Sequence, residues 1–324
     1  MMRTSDRPMV LYHAVSSYQL LEVMLHRMRY HDKDMAVLLL PDFITAKYPW
    51  YERLRTRGFF DRVYLFPYLQ IPHTDETQIR RDVSRQYRRL LPYDIHGFTR
   101  VYVAGAHFYF TLLLLQEEIP FTFFEDAAGM LSRAGELYAN LSTRFPVHAD
   151  IARRHGLFDG RHPLVRQVIC LKKAQTVDVS NGRYQDFSVE RALAGLQPRR
   201  RRGMVRLFIR HRLRTRAEGI LLTQSFSNLG VMGEEAQRDL YGELARGPLR
   251  NIRLLIKRHP DDALDYGEIF PGARQIREIF PAELLPYAFA GRRPASIYTL
   301  DSTGCENLEE HFMIHRIRRD GHAG

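Results

Sequence analysis

The stretch "NIRLLIKRHPDD", residues 251–262, decides the fold. Leu254, Leu255 and Ile256 are consecutive apolar residues, too few for a helix and closed off by charge. A short apolar run bounded by turn signals reads as a strand buried on both faces. Pro260 lacks an amide donor and forces the chain to turn there, so Lys257, Arg258 and His259 crowd together where the strand ends. Strands buried on both faces belong to parallel sheets covered by helices. Working outward, "GILLTQSF" (219–226) is a second such strand and "MGEEAQRDLYGELAR" (232–246) the helix between the two. "ARQIREIF" (273–280) reads as a short strand, "PAELLPYAF" (281–289) as a short helix opened by Pro281, and "ASIYTLDSTG" (295–304) as a further strand.

The first half of the chain has the same alternation. "MVLYHAV" (9–15) and "MAVLLLPD" (35–42) are strands, separated by "SSYQLLEVMLHRMRYH" (16–31), where Leu20, Leu21, Met24, Leu25 and Met28 recur at helical spacing. "RVYLFPY" (62–68), "RVYVAGAH" (100–107) and "FTFFEDAAG" (121–129) add three more strands. The expectation is an α/β protein of two doubly wound, Rossmann-like domains facing across a cleft. The first covers residues 1–198 on the acceptor side, the second residues 219–324 on the nucleotide side, and residues 199–218 form a basic linker.

With 324 residues, 45% hydrophobic and 26% charged, the sequence has material for two cores. Cys170 and Cys305 lie far apart, which argues against a disulfide framework or a zinc site and for a reducing compartment. The start of the sequence has no apolar core of a signal peptide, and no run is long enough to span a bilayer, so a cytoplasmic location is expected. The net charge of +11 is concentrated in "RRRRGMVRLFIRHRLRTR" (199–216), which contains no acid. One reading is a solvated linker. The other is contact with an anionic membrane at its cytoplasmic face through Arg199–Arg216, with Phe208, Ile209 and Leu213 inserting at the headgroups. Nucleic acid is not expected as a partner, because the segment lacks stacking aromatics and no reader motif accompanies it.

Ligands in doubly wound sheets bind beyond the carboxyl ends of strands, and that rule sorts the candidate residues. Glu125 and Asp126 end the strand "FTFF", where a carboxylate serves as general base or caps the following segment. His259 ends another strand, where imidazole donates to a phosphate oxygen or is structural. Pro260 there would let the next segment open as a helix whose free amides favour an anion. Ser302 and Thr303 precede Gly304 after a third strand and read equally well as a phosphate cradle or a helix cap. His13, Ser16 and Ser17 follow the first strand and either face the cleft or cap the first helix. Asp32 and Asp34 form a D-x-D pattern but precede a strand, at the wrong edge for a metal–nucleotide site, and read as a solvated turn.

An acidic pair, a His-Pro and a Ser/Thr pair, in that order at strand ends, resemble the motifs of bacterial GT-B sialyltransferases and polysialyltransferases. "LLTQSFSNLGVMGEEAQ", "LLIKRHPDD", "IFPAELL" and "YTLDSTGCENL" resemble the second-domain segments of that group. The resemblance implies a metal-independent, inverting glycosyltransferase without a cofactor, moving sialic acid from CMP-sialic acid to a surface glycan acceptor. It implies Glu125 or Asp126 as the base and His259 as the group that protonates or stabilises the leaving phosphate. Ser302 and Thr303 would bind that phosphate, with Lys257 and Pro260 beside it. Gln224, Phe280 and Glu283 would border the nucleotide. The arrangement also resembles CDP-glycerol-type polyol-phosphate transferases of capsule or teichoic-acid assembly. A third reading is a non-catalytic glycan- or membrane-binding relative.

Overall fold

The computed structural model describes residues 7–72, 74–104, 108–125, 131, 134–171, 182–228, 230–300 and 303–317. The chain divides into two compact units, Met1–Leu196 and Gln197–Gly324.

The first unit is built on seven strands: β1 (Met9–His13), β2 (Met35–Pro41), β3 (Arg62–Phe66), β4 (Arg100–Ala104), β5 (Phe121–Phe124), β6 (Val165–Cys170) and β7 (Tyr184–Asp186). Their order is β3-β2-β1-β4-β5-β6-β7, and neighbouring strands are parallel. The reversal between β1 and β4 makes the sheet doubly wound. Burial on both faces explains the near-continuous apolar run of β2, buried from Ala36 to Pro41. One face packs Leu11, Val37, Leu39, Val103 and Val168 against Ile79, Val83 and Phe110. Ile79, Val83 and Tyr87 are buried at four-residue intervals along the helix Glu76–Leu90, the stripe that 3.6-residue periodicity requires.

The first helix, Ser17–Tyr30, shows how local sequence fixes an element. The Ser16 hydroxyl accepts from Gln19 N at 3.1 Å, while the Gln19 side chain accepts from Val15 N at 2.9 Å. One amide that the helix start leaves unpaired, Gln19 N, and the amide of Val15 just ahead of the cap are thereby satisfied reciprocally.

The second unit has five parallel strands, β8 (Gly219–Leu222), β9 (Leu254–Lys257), β10 (Arg274–Gln275), β11 (Ser296–Thr299) and β12 (Met313–Arg316). Their order is β10-β9-β8-β11-β12, with the reversal between β8 and β11. Close packing constrains one position in particular: a Cβ on Gly219 would collide with the ring of Tyr298. That ring in turn stacks on His315 of β12 with centroids 4.7 Å apart.

The arginine-rich segment is folded. Pro198–Phe208 is a helix of the second unit, with Met204, Val205, Leu207 and Phe208 buried. Ile209 and Leu213 are also buried, and Leu213 bridges to Phe289, its N–H donating to Ala288 O at 2.8 Å. This corrects the expectation that Phe208, Ile209 and Leu213 insert into lipid: they are core residues. The arginines occupy the opposite, solvated face, with Arg201 set over the ring of Tyr287 at 4.8 Å. Among the described residues, no helix is long and apolar enough to cross a membrane.

Candidate functional site

The carboxyl edge of the second sheet is organised around Asp262, a residue of the opening stretch that the sequence reading passed over. Its Oδ2 accepts from the Thr223 hydroxyl and from the Tyr266 hydroxyl, each at 2.6 Å. Its Oδ1 accepts from Gln237 Nε2 at 3.1 Å and from Leu264 N at 3.2 Å. A buried carboxylate is costly unless paired or hydrogen-bonded, and four donors here satisfy it. Burial, with Tyr241 and Asp262 beside it, drives the Tyr266 hydroxyl far above the usual phenol range, so it remains a donor.

The donors come from different elements, so the carboxylate ties loops together. Thr223 follows β8, Asp262 follows β9, and Gln237 lies in the helix Glu234–Arg246. Gln237 also donates to Gln224 O at 3.0 Å and accepts from Ser227 N at 2.8 Å. Tyr241 Oη accepts from Gln224 N at 2.8 Å. The carbonyl of Asp261 accepts from Ser225 Oγ at 2.8 Å and from Asn228 Nδ2. The loops after β8 and β9 are thus held by side chains, and the first of them borders the β8/β11 reversal. Ligands of doubly wound sheets bind at that reversal.

His259 sits on this frame, partly exposed. Its backbone N–H donates to Thr223 Oγ1 at 3.1 Å. Its Nδ1 accepts from Asp261 N at 3.2 Å, so the neutral ring carries its proton on Nε2 and presents a donor there. Asp262 N donates to His259 O at 3.1 Å, closing a β-turn with Pro260 second, where its fixed φ belongs. This corrects the expectation that Pro260 opens a helix. The next helix, Tyr266–Ile269, starts later with Asp265 as its cap and is only four residues long.

Lys257, Phe280 and Glu283 do come together, but in the interior. The Lys257 ammonium lies 4.8 Å from the Phe280 ring centroid, and all three residues are buried. Burial pulls Lys257 down to a pKa of about 8, an effect that the nearby Glu283 carboxylate opposes. Glu283 accepts from Asn307 Nδ2 at 3.3 Å. The group therefore supports the strand end from beneath. Gln224 is partly buried, with both backbone groups bonded as above, and Arg258 is exposed. Thr303 begins the 3-10 turn Thr303–Leu308; Ser302 and the side chain of Thr303 lie outside the described residues.

In the first unit, Glu125 is fully buried at the end of β5. Its Oε1 accepts from Leu131 N at 3.1 Å and its Oε2 from Leu171 N at 3.0 Å. Both oxygens are engaged by backbone amides, an arrangement for fastening chain rather than collecting a proton from solvent. Asp126 lies outside the described residues. His13 is also buried, contrary to a cleft-facing role: its Nε2 is 3.0 Å from Tyr68 Oη and its ring stacks on Phe110. Ser16 is the helix cap and Ser17 is buried. Asp34 pairs with His31 at 2.6 Å and Asp32 with Arg27 at 3.5 Å. Among the described residues no group of three metal-ligating side chains occurs.

Two doubly wound units, each a parallel sheet with one reversal of strand order, define the GT-B class of fold. No protein-family model and no curated protein matches the sequence. Solved structures do match in shape. The chain is similar to the glycotransferase of kitacinnamycin, at 14% identity and a TM-score of 0.51, over 97% of this chain and 81% of that one. It is similar to Arabidopsis thaliana UGT89C1 complexed with UDP-L-rhamnose, at 10% identity and a TM-score of 0.53, over 97% and 80% of the two chains. It is also similar to the UDP-GlcNAc 2-epimerase of Methanocaldococcus jannaschii in complex with UDP-GlcNAc and UDP. There the identity is 10% and the TM-score 0.51, over 93% and 81% of the chains. The fold is therefore that of the GT-B glycosyltransferases and of these epimerases.

Proposed function

We propose that this protein is a metal-independent, inverting glycosyltransferase that uses a nucleotide-activated sugar. The observation that carries the proposal is His259, held as a donor beyond the carboxyl end of β9 and tied to the loop after β8, which borders the reversal, by the network that Asp262 locks in place. The acceptor oxygen attacks the anomeric carbon as the bond from that carbon to the donor phosphate breaks, with inversion. Negative charge gathers on the departing phosphate, and donors fixed in advance stabilise it without reorganising. His259 Nε2–H is assigned to that phosphate, with Ser302 and Thr303. The acceptor's proton goes to the acidic pair; because Glu125 is buried on two backbone amides, Asp126 is the carboxylate assigned to take it.

The sequence motifs favour CMP-sialic acid as donor, whereas two of the comparison proteins were solved with UDP or UDP-sugars. The discriminating experiment measures nucleotide release from CMP-sialic acid, CDP-glycerol and UDP-GlcNAc with candidate glycan acceptors, in wild type and His259→Ala. Release of CMP from CMP-sialic acid, reduced roughly 10²-fold or more by the substitution, is the expected result. CMP release from CDP-glycerol would replace sugar transfer by polyol-phosphate transfer. Consumption of UDP-GlcNAc alone would move the protein toward its UDP-using structural neighbours. No consumption of any donor would leave a binding protein. Peripheral membrane association rests on charge alone through the solvated face of Pro198–Phe208, and should vanish at high salt.

A further inference from the structure

The first unit carries a pocket of about 460 Å³ at the amino edge of its sheet, the edge opposite the strand end that holds Glu125. Three segments build it: the last two turns of the helix Glu76–Leu90, the end of the helix Phe108–Gln116, and residues 91–96, which lead toward β4. Helical spacing sets one wall. Ser84, Tyr87, Arg88 and Leu91 fall at i, i+3, i+4 and i+7, so a single stripe of the first helix faces the pocket. Leu113 and Glu117 line it from the second helix end. Leu91, Ile95 and Leu113 are buried and make an apolar floor, with the partly exposed ring of Tyr93 beside them.

Two polar groups in this wall are left over by the fold. Ser84 and Tyr87 are more than nine-tenths buried, and neither hydroxyl has a hydrogen-bond partner among the described residues. A buried hydroxyl without a partner is costly, and the large majority in native proteins find one. Burial, and after it the charge of Asp94 in the same lining, raises the Tyr87 hydroxyl above the ordinary phenol range. It therefore stays protonated, able like Ser84 to donate and to accept. The charges of the rim face one another. Arg88 and His96 lie 3.7 and 4.0 Å from the Glu117 carboxylate, and Asp94 Oδ1 accepts from His96 N at 3.0 Å. Arg88 also stands in the last turn of its helix, where a cation answers the helix dipole. The helix Phe108–Gln116 ends here without a basic residue in its last turn, so its carbonyls add negative character. An anion gains little at such a site, and a cation meets Arg88 and His96 at the rim.

We propose that this pocket binds a neutral sugar ring, its hydroxyls taken up by Ser84 and Tyr87 and its apolar face laid on Leu91, Ile95 and Tyr93. Hydroxyls on adjacent carbons of a sugar donate and accept, which matches two protein groups that do both. The volume falls within the roughly 300–1,000 Å³ of ligand pockets, and the lining has their pattern of apolar walls with a few polar groups. The inference rests neither on the donor nucleotide nor on His259, and its test uses no nucleotide.

The test is a saturation-transfer NMR titration of the whole chain with methyl β-glucoside and methyl β-galactoside. Glucuronic acid serves as the anionic control and glucosamine as the cationic one. At least one neutral glycoside should bind with a dissociation constant on the order of 1 mM, as befits a ligand of this size. The variant Ser84→Ala/Tyr87→Phe should bind it about ten-fold more weakly, with a thermal midpoint at or above that of wild type, because the hydroxyls removed have no partner in the fold. A purely structural role for them predicts the reverse, a lower midpoint with binding unchanged. Ser84→Ala alone, in a helix that favours alanine, should lose about three-fold, which guards against a double variant that misfolds. No saturation transfer in wild type means a pocket that holds water only, and overturns the proposal. So does undiminished binding in both variants, or binding of glucuronic acid or glucosamine as tight as that of the neutral glycosides.

Discussion

Replacing Asp262 by asparagine tests whether the strand-end loops are held as described. The carboxylate accepts from two hydroxyls on Oδ2 and from two nitrogens on Oδ1. An amide must turn its NH2 toward one of these pairs. Gln237 Nε2, whose amide oxygen is taken up by Ser227 N, and Leu264 N can only donate, so the asparagine oxygen is forced to face them and its NH2 faces Thr223 and Tyr266. Thr223 Oγ1 already accepts from His259 N, and both hydroxyls lose the acceptor for their own hydrogens. Each buried donor left unpaired costs about 1–3 kcal/mol, while removing the buried charge returns part of its desolvation. The net expectation is a loss of about 2–4 kcal/mol, measured by urea unfolding. Hydrogen exchange should speed up at residues 223–228 and 258–264, with nucleotide release falling in parallel. Thr223→Val removes one arm of the same network, so the two substitutions should couple by more than about 0.5 kcal/mol in a double-mutant cycle. A variant within about 0.5 kcal/mol of wild type, with unchanged exchange in both loops, would refute the account of Asp262 as the knot.

Three further outcomes follow from buried titratable groups. Because Lys257 has a folded pKa of about 8 against 10.5 unperturbed, the unfolded chain binds more protons between those values and stability rises with pH. Wild type should therefore gain on the order of 2 kcal/mol relative to Lys257→Met between pH 8 and pH 10, and a pH-independent difference would contradict the burial of the ammonium. Glu125→Gln turns an amide group toward a backbone donor and should cost about 1–3 kcal/mol in thermal unfolding, with activity falling only as the folded fraction falls. A loss near 10²-fold with unchanged stability would instead make Glu125 the base. His26 is pushed down to about 3 by burial first and by His31 and Arg29 next, so its contribution to stability is complete above pH 6.5 and drains away as pH falls toward 3. In NMR its ring should stay neutral at pH 4.5, and a midpoint near 6.5 would contradict the packing around it.

The strands that flank the reversals were legible because burial on both faces leaves an apolar run in the sequence. Those missed lie toward sheet margins. In β6, Arg166 and Gln167 interrupt the run; β7 is Tyr-Gln-Asp; β12 is an edge strand of which only part is apolar. His259 was legible because a strand end followed by proline is a local event. Asp262 was not, since its partners Thr223, Gln237 and Tyr266 are drawn from a long span of chain and meet only on folding. The amide partners of Glu125 were not legible, because backbone groups leave no mark in a sequence. Phe208, Ile209 and Leu213 misled because interleaved arginines hid the buried face of the segment.

The contact between Gly219 and Tyr298 gives a way to sort distant kin. A ring leaning over a strand start excludes any side chain beneath it, so the two positions should drift as a pair: bulk at 219 only where 298 has shrunk. Chains of the same architecture that are unrelated by descent have no reason to obey that bargain.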